Sequence, residues 1–513
     1  MLSSTTIWVT FALYICFLLS VAAYVTVRDR KRKDGGNLLT ATVPWPVLIM
    51  TYLASLMSTW VFFAGPGAYY RNGLGYWVAE LSYICLFPVI SHFTMNKIWA
   101  YNQQKGRKLI TPSDFYYERF KSPALRTILG LVFLACSFPY IASVLVAISQ
   151  AAQYATGGAI SYANAVVVIG ITMTVFVCIG GMKSAAFADT IQGLFFIAAL
   201  WIIAISCLVV GFHGSLNEAL QTIWRNPNTA GFFSYPGPSG TTTYAFRFGY
   251  PFSCAIGWTI MLPHVFVRSG YFGNSLHSQR RLSFATPVLQ VFVWTGTMLI
   301  GLIGLALVDR MTSSESELII PYLINNIVFD ANPPLAVFLM LTFFVGATAV
   351  GLSTANAFLG VSSAIVESDL LKNTFHLNIT PKSEKIIGRI IIIILGTTST
   401  LIAINPPQLI FTLIMFSIAL VMPLFPVMVC ALYWKHATKQ AAIAATLVGT
   451  ALVIMTYAVW DMGNVWYGTI GLLASTVVMI VVSLITYQDN KETESFYTTL
   501  EDAMNRFYTI DEK

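Results

Sequence analysis

Charge is scarce in this chain. Only 10% of its 513 residues are Asp, Glu, Lys or Arg, while 56% are hydrophobic. The apolar residues are not spread in the short amphipathic patterns of a soluble core; they gather in runs of about twenty, the length that crosses a bilayer's hydrocarbon. Histidine is scarce too. The six histidines (92, 213, 264, 277, 376 and 436) fall in different segments without metal-ligand spacing. An enzyme would need a convergent set of catalytic groups, and none is visible. The seven cysteines lie inside apolar runs with no CxxC pair, so they read as small packing residues rather than metal or redox groups. Short alternating segments of a transmembrane β-barrel are missing as well. What remains is an all-α polytopic membrane protein.

The first apolar run, 7–27, is followed by its basic cluster RDRKRK. A cleavable signal peptide has the positive charge in front, so this run is a retained span. Thirteen spans are expected, at about 7–27, 43–71, 74–96, 124–156, 162–181, 183–211, 249–270, 285–309, 333–369, 386–405, 407–433, 438–460 and 466–487. With the N-terminus outside, 25 of the 29 Lys and Arg residues fall on the cytoplasmic side, and only Arg71, Arg225, Arg247 and Arg310 face out. The positive-inside rule therefore favours N-out and C-in, which agrees with an odd number of spans. The same count explains the formal charge of +7 without a nucleic-acid partner. The sequon Asn378-Ile379-Thr380 falls on the cytoplasmic side and is set aside. The outer loop 212–248, rich in Gly, Pro, Ser and Thr, is expected to be lid-like, and the tail 488–513 partly helical.

Few ionisable residues lie inside the apolar slab, where each costs roughly 2.5–3.5 kcal/mol at mid-span. Glu80 lies near the outer end of the third span and Asp189 in the sixth. The plain alternative for each is a carboxylate reaching an interface. Two spans look broken, the second at Gly65-Pro66-Gly67 and the seventh at Pro263. Pro removes a donor and Gly adds backbone freedom; non-helical backbone at membrane depth survives only against protein or a wet cavity. The plain alternative is a proline kink. Finally, VGLSTANAFLGVSSAIVESD (350–369) carries an unusual density of oxygens. Ser353 and Thr354, with a backbone carbonyl loosened near Gly351, would suit a hard monovalent cation. The alternative is hydroxyls bonded back to their own helix. Gly346, Ala349, Gly351, Ala355, Ala357 and Gly360 would let a partner helix come close.

Four stretches carry a resemblance to a known family: RKLITPSDFYYERF (107–120), GGMKSAAFADTIQ (180–192), LPHVFVR (262–268) and LSTANAFLGVSSAIVESDL (352–370). They resemble the sodium:solute symporter family, and the resemblance runs over spans 2 to 11. It implies a leucine-transporter-type fold. After a leading helix and basic loop (1–42), two inverted five-helix repeats would occupy 43–211 and 249–433, separated by the loop 212–248. Two trailing helices (434–487) and the tail 488–513 would follow. It also implies a sodium site made by the carbonyls of Ala54, Met57 and Val350 and the hydroxyls of Ser353 and Thr354, with Asp189 as an outer-shell or exit-path carboxylate. The substrate site would lie at the two breaks, with Trp60, Phe63, Trp258 and Thr259 as candidates beside Glu80.

The resulting expectation is sodium-coupled import of a small polar organic solute by alternating access, at a cell membrane and most simply a bacterial inner membrane. Sodium and the solute are the transported ligands; no other cofactor is expected. Proton coupling through Asp189 or Glu80, and a solute sensor without transport, remain as alternatives.

Overall fold

The computed structural model describes residues 2–30, 42–180, 182–234, 253–309, 311–406, 410–459 and 466–509. Much of the basic run after the first span, the second part of the 212–248 loop (235–248) with Arg247, and Arg310 lie outside the described residues. Among those described there is no β-strand; a single bridge joins Val43 to Gly273.

The helices run in chain order as α1 (Ser4–Arg30), α2 (Trp45–Met57), α3 (Ala64–Asn72), α4 (Gly75–Phe93), α5 (Met95–Gln104), α6 (Pro112–Phe120), α7 (Pro123–Ala155), α8 (Tyr162–Gly180), α9 (Met182–Phe212) and α10 (Leu216–Arg225). After a widely wound π segment, Ser253–Met261, come α11 (Pro263–Tyr271) and α12 (Leu276–Leu307). Then follow α13 (Ser313–Ser316), α14 (Ile319–Ala331), α15 (Pro333–Lys372), α16 (Pro381–Ile404), α17 (Ile410–Val421), α18 (Leu424–Tyr433), α19 (Lys439–Val459), α20 (Trp466–Thr486) and the amphipathic α21 (Lys491–Thr509). Among the described residues, eleven segments are long and apolar enough to cross a membrane. Of the other two expected spans, 43–71 and the described part of 249–270 are each made of shorter pieces.

Local chemistry sets the ends of the two central helices. Ser122 Oγ accepts from Leu125 N at 3.2 Å, with Pro123 at the first position of α7. Asn332 Oδ1 accepts from Leu335 N at 3.1 Å ahead of Pro333 in α15. Each cap satisfies a donor that the first turn leaves orphaned, and proline there loses no hydrogen bond. α7 and α15 are mostly buried, whereas fewer than a third of the residues in the spans of α1 and α20 are.

The breaks differ from expectation in one case. The second span opens not at Gly65-Pro66-Gly67 but at Ser58, with φ 57° and ψ −178°. A 3₁₀ turn, Thr59–Phe62, then leads into α3. Pro66 sits in the first turn of α3, where it breaks nothing. The flanking glycines serve close approach instead. A Cβ on Gly65 would lie 2.8 Å from Thr297 Cγ2, and one on Gly67 2.7 Å from Ser316 O. The seventh span breaks where expected: Leu262 is extended and Pro263 starts α11. A third interruption, at Met422-Pro423 between α17 and α18, divides the span read as continuous over 407–433. α15, by contrast, runs unbroken through Gly351. That glycine does not loosen a carbonyl; it admits Ile148 and Thr59, whose side chains a Cβ would meet at 2.7 and 2.9 Å.

One seam is symmetric. A Cβ on Gly170 of α8 would collide with Thr400 of α16, and one on Gly396 of α16 with Thr174 of α8. Each threonine hydroxyl donates to the glycine carbonyl one turn earlier on its own helix, at 2.8 Å for Thr174 and 2.7 Å for Thr400. Exchanging the two helices leaves the contact unchanged.

Candidate functional site

The break at Ser58 strips the end of α2 of its next turn, so carbonyls there need partners from elsewhere. Ser58 itself occupies a region suited to glycine, a strain of about 1–3 kcal/mol that surrounding structure must hold. Two of the freed carbonyls are taken by the other broken span. His264 Nε2 lies 3.1 Å from Ser55 O, and Trp258 Nε1 donates to Leu56 O at 2.9 Å. The carbonyls of Ala54 and Met57 are the two expected to hold a cation.

Across from them stands α15. Thr354 Oγ1 lies 3.1 Å from Val350 O, 3.1 Å from Ser55 O and 3.5 Å from Ala54 O. The bond back to its own helix is therefore real for Thr354, but the same hydroxyl also faces the broken end of α2. Ser353 does not bond back; its hydroxyl donates to Asp189 Oδ1 at 2.7 Å. A hydroxyl whose hydrogen is committed in that way keeps its lone pairs for a cation.

Asp189 is fully buried, so it does not reach an interface as the plain alternative had it. Its Oδ2 accepts from Thr51 Oγ1 at 2.6 Å and from Arg268 Nη2 at 3.0 Å. Arg268 Nε also donates to Thr51 Oγ1 at 3.1 Å, and its Nη1 reaches His264 O at 3.4 Å. The charge is thus paired and multiply bonded, the condition for burying a carboxylate and a guanidinium together. Thr51, His264 and Arg268 had not been singled out as site residues. The spacing of His264 and Arg268, one helical turn apart behind Pro263, was their signal; Thr51 had none.

Toward the other side of the break lies an aromatic box. Trp60 packs at a tilt against Phe411, with centroids 4.9 Å apart, and against Trp258 at 5.5 Å. Trp258 also meets Tyr83 and Trp294, each at 5.8 Å. The indole N–H groups of Trp60 and Trp294 are buried without a hydrogen-bond partner among the described residues, which is unusual for tryptophan. Glu80 is buried on α4 and interacts electrostatically with Tyr69 and Tyr83. The other two candidates point elsewhere. Phe63 packs on Phe343 at 5.5 Å, and Thr259 Oγ1 bonds back to Ala255 O at 2.6 Å. The Thr259 carbonyl accepts from Tyr52 OH.

The family model for the sodium:solute symporter family matches residues 39–449. The chain belongs to the sodium:solute symporter family. It is a multi-pass membrane protein and a sodium-coupled solute symporter, not an enzyme. The sodium/pantothenate symporter of Escherichia coli strain K12 is 29% identical over 470 residues, covering 88% of this chain and 90% of that protein. Its counterpart in Haemophilus influenzae is 27% identical over 460 residues, covering 86% and 88%. Among solved structures, a sodium-coupled sialic acid symporter in a substrate-bound outward-open state superposes with a TM-score of 0.76 at 17% identity. That match covers 94% of this chain and 99% of the other, and it places the fold in the leucine-transporter class.

Proposed function

We propose that this symporter binds sodium between α2 and α15, with the carbonyls of Ala54, Met57 and Val350 and the hydroxyls of Ser353 and Thr354 as ligands. The observation that carries the reading is the convergence of Thr354 Oγ1, Val350 O and Ala54 O at the broken end of α2. Asp189 acts one shell out. By accepting the Ser353 hydrogen it aims that hydroxyl's lone pairs at the ion.

The solute occupies the aromatic box between the two breaks. Trp60, Trp258 and Glu80 face it, joined by Trp294, while Phe63 and Thr259 support the wall. A small polar organic solute with an apolar face fits such a lining. The pantothenate carriers among the relatives make pantothenate the first compound to test. The face bearing the basic loops is cytoplasmic in this reading, the N-terminus is outside, and the host membrane is a bacterial inner membrane.

Coupling follows from linkage: sodium favours the conformation that binds solute, and solute tightens sodium by the same factor. Each sodium entering a cell with a negative interior gains about 2.3 kcal/mol per 100 mV. The test is uptake into proteoliposomes under an imposed sodium gradient. Ser353→Ala with Thr354→Ala is expected to abolish sodium-dependent uptake; unchanged uptake would remove the site from the proposal. A thermal-shift screen of solutes in sodium and in choline buffer identifies the cargo, because a ligand of the native state raises the melting temperature. A shift indifferent to sodium would favour proton coupling.

A further inference from the structure

Arg119, in the last turn of α6, is only 2% exposed, yet among the described residues no carboxylate lies within ion-pair reach of it. Its Nη2 donates to the carbonyls of Trp434, Lys435 and Ala437 at 3.3, 3.2 and 3.1 Å, and its Nη1 to Thr493 Oγ1 at 3.0 Å. Those bonds cap the end of α18 and pin the start of α21, a structural duty in itself. They leave Nε buried with no hydrogen-bond partner among the described residues. A buried charge without a counter-ion is costly. Arg119 stands in the wall of a cavity of about 610 Å³ on the face with the basic loops, between the end of α6, the turn from α18 to α19, the end of α20 and the start of α21. Lys435 and Lys439 add two bases to that wall, and Asp489, Glu494 and Glu501 face them as acids. Among the described residues no ion pair joins any of these bases to any of these acids. The start of α19 belongs to the same wall. Thr438 Oγ1 accepts from Ala441 N at 3.2 Å, and the amides of Lys439 and Gln440 ahead of it are donors that a helix's first turn leaves orphaned.

Opposite charges that share a cavity without touching suit a ligand that carries both signs. We propose that the cavity holds the phosphoethanolamine head group of a membrane phospholipid. The phosphate lies among Arg119, Lys439 and the first amides of α19, and the primary ammonium donates to the carboxylates across the cavity. With His436 neutral and packed on the Tyr487 ring at 4.2 Å, the bases and acids of the wall cancel. A zwitterion keeps that balance, whereas a head group of net negative charge upsets it. A primary ammonium offers three N–H donors to carboxylates; a quaternary one offers none. The edge of the cavity argues for a lipid over a free phosphate ester. Leu484 and Ile485, at the end of α20, are 65% and 77% exposed immediately before Thr486 and Tyr487 of the wall, and Leu447 on α19 is 50% exposed. These apolar surfaces take the acyl chains, which leave past the exposed rim at Lys439 and Gln440. Bound there, the lipid ties α21 to the trailing helices. The site stands independently of the transported solute.

The test is native mass spectrometry of the full chain released from nanodiscs. The discs hold equal parts of phosphatidylethanolamine, phosphatidylcholine and phosphatidylglycerol with identical acyl chains. The native chain is expected to retain phosphatidylethanolamine in several-fold excess over the other two. Lys435→Gln with Lys439→Gln should cut that retention roughly fivefold, the scale of two solvent-near ion contacts. Glu494→Gln with Glu501→Gln should invert the choice, because the wall then carries surplus positive charge and phosphatidylglycerol answers it better. All four positions are exposed, so both variants should melt like the native chain in lipid-free detergent, and a change in retention then reports the site and not the fold. Equal retention of the three lipids by the native chain, or a preference unmoved in both variants, overturns the site. Soluble phosphoethanolamine that displaces the phospholipid at equal concentration overturns the lipid as its occupant.

Discussion

Two buried arginines invite comparison. Arg268, beside the proposed sodium site, meets one carboxylate, Asp189, in a pair that is neutral overall. Arg126, at the start of α7, meets two, Asp114 from α6 and Asp369 from the end of α15, so that its cluster is formally one negative charge in surplus. In the first, both carboxylate oxygens are fully engaged. In the second, Asp369 Oδ1 takes Arg126 at 2.7 Å and Thr111 Oγ1 at 3.0 Å, while its Oδ2 is buried with no hydrogen-bond partner among the described residues. Beside the proposed sodium site, a neutral pair leaves the holding of a cation to uncharged oxygens. An overcharged cluster holds three separate elements together only while all of them touch. The two quoted motifs TPSDF and VESDL thus turn out to be halves of one clamp, on the face with the basic loops.

The largest effect should come from breaking the neutral pair. Arg268→Ala leaves Asp189 buried and uncompensated, a loss of roughly 3–5 kcal/mol. The melting midpoint in detergent should fall sharply, and Asp189→Leu combined with Arg268→Met should recover much of it. If the single variant melts like the native chain, the pair is not the closed unit described.

A third buried charge sharpens the contrast. Glu317 lies outside the spans, and burial pushes its carboxyl up to about 7, although the Phe411 amide and Arg71 oppose this. A raised carboxyl favours the protonated form in the packed state. The contact is therefore stabilised below the ordinary carboxylate range near 4.5 and loses that advantage as pH rises through about 7. The gain is at most roughly 3 kcal/mol. Acid should hold the segment around Glu317 packed, slowing alkylation of a cysteine placed at the buried Ser316, and Glu317→Gln should flatten the dependence. Alkylation that slows at high pH would reverse the sign.

The smallest effects belong to the overcharged cluster. Asp369→Asn removes the surplus and leaves Arg126 with Asp114, so stability should change by less than about 1 kcal/mol. Asp114→Asn should cost more, about 1–2 kcal/mol. Asp114 also closes the capping box of α6, accepting from Thr111 N at 2.8 Å and Ile110 N at 2.7 Å. Equal melting of the two variants would deny Asp114 its double duty.

Much of this was legible in the sequence because polar groups are rare in apolar runs. Asp189, Ser353 and Thr354 stood out for that reason, and Pro263 marked its break by its missing donor. Ser58 did not stand out: serine carries no mark of the backbone it adopts, and the nearby Gly-Pro-Gly drew the break seven residues too far. Trp294 was invisible inside a uniformly apolar helix. The pairing of Arg126 with Asp369 spans 243 residues and that of Arg268 with Thr51 spans 217. No local pattern encodes such partners; only the packing of distant helices reveals them.

The seam between α8 and α16 has a consequence for the cycle of the transporter. A contact that maps onto itself when its two sides trade places has no preferred direction of tilt. Leaning the pair one way presses Gly170 toward Thr400 as much as leaning it the other way presses Gly396 toward Thr174. Such a joint adds nothing to the energy difference between facing out and facing in. The bias between those states is left to the parts of the molecule that are unlike in its two halves, the ion, the cargo and the unmatched carboxylates among them.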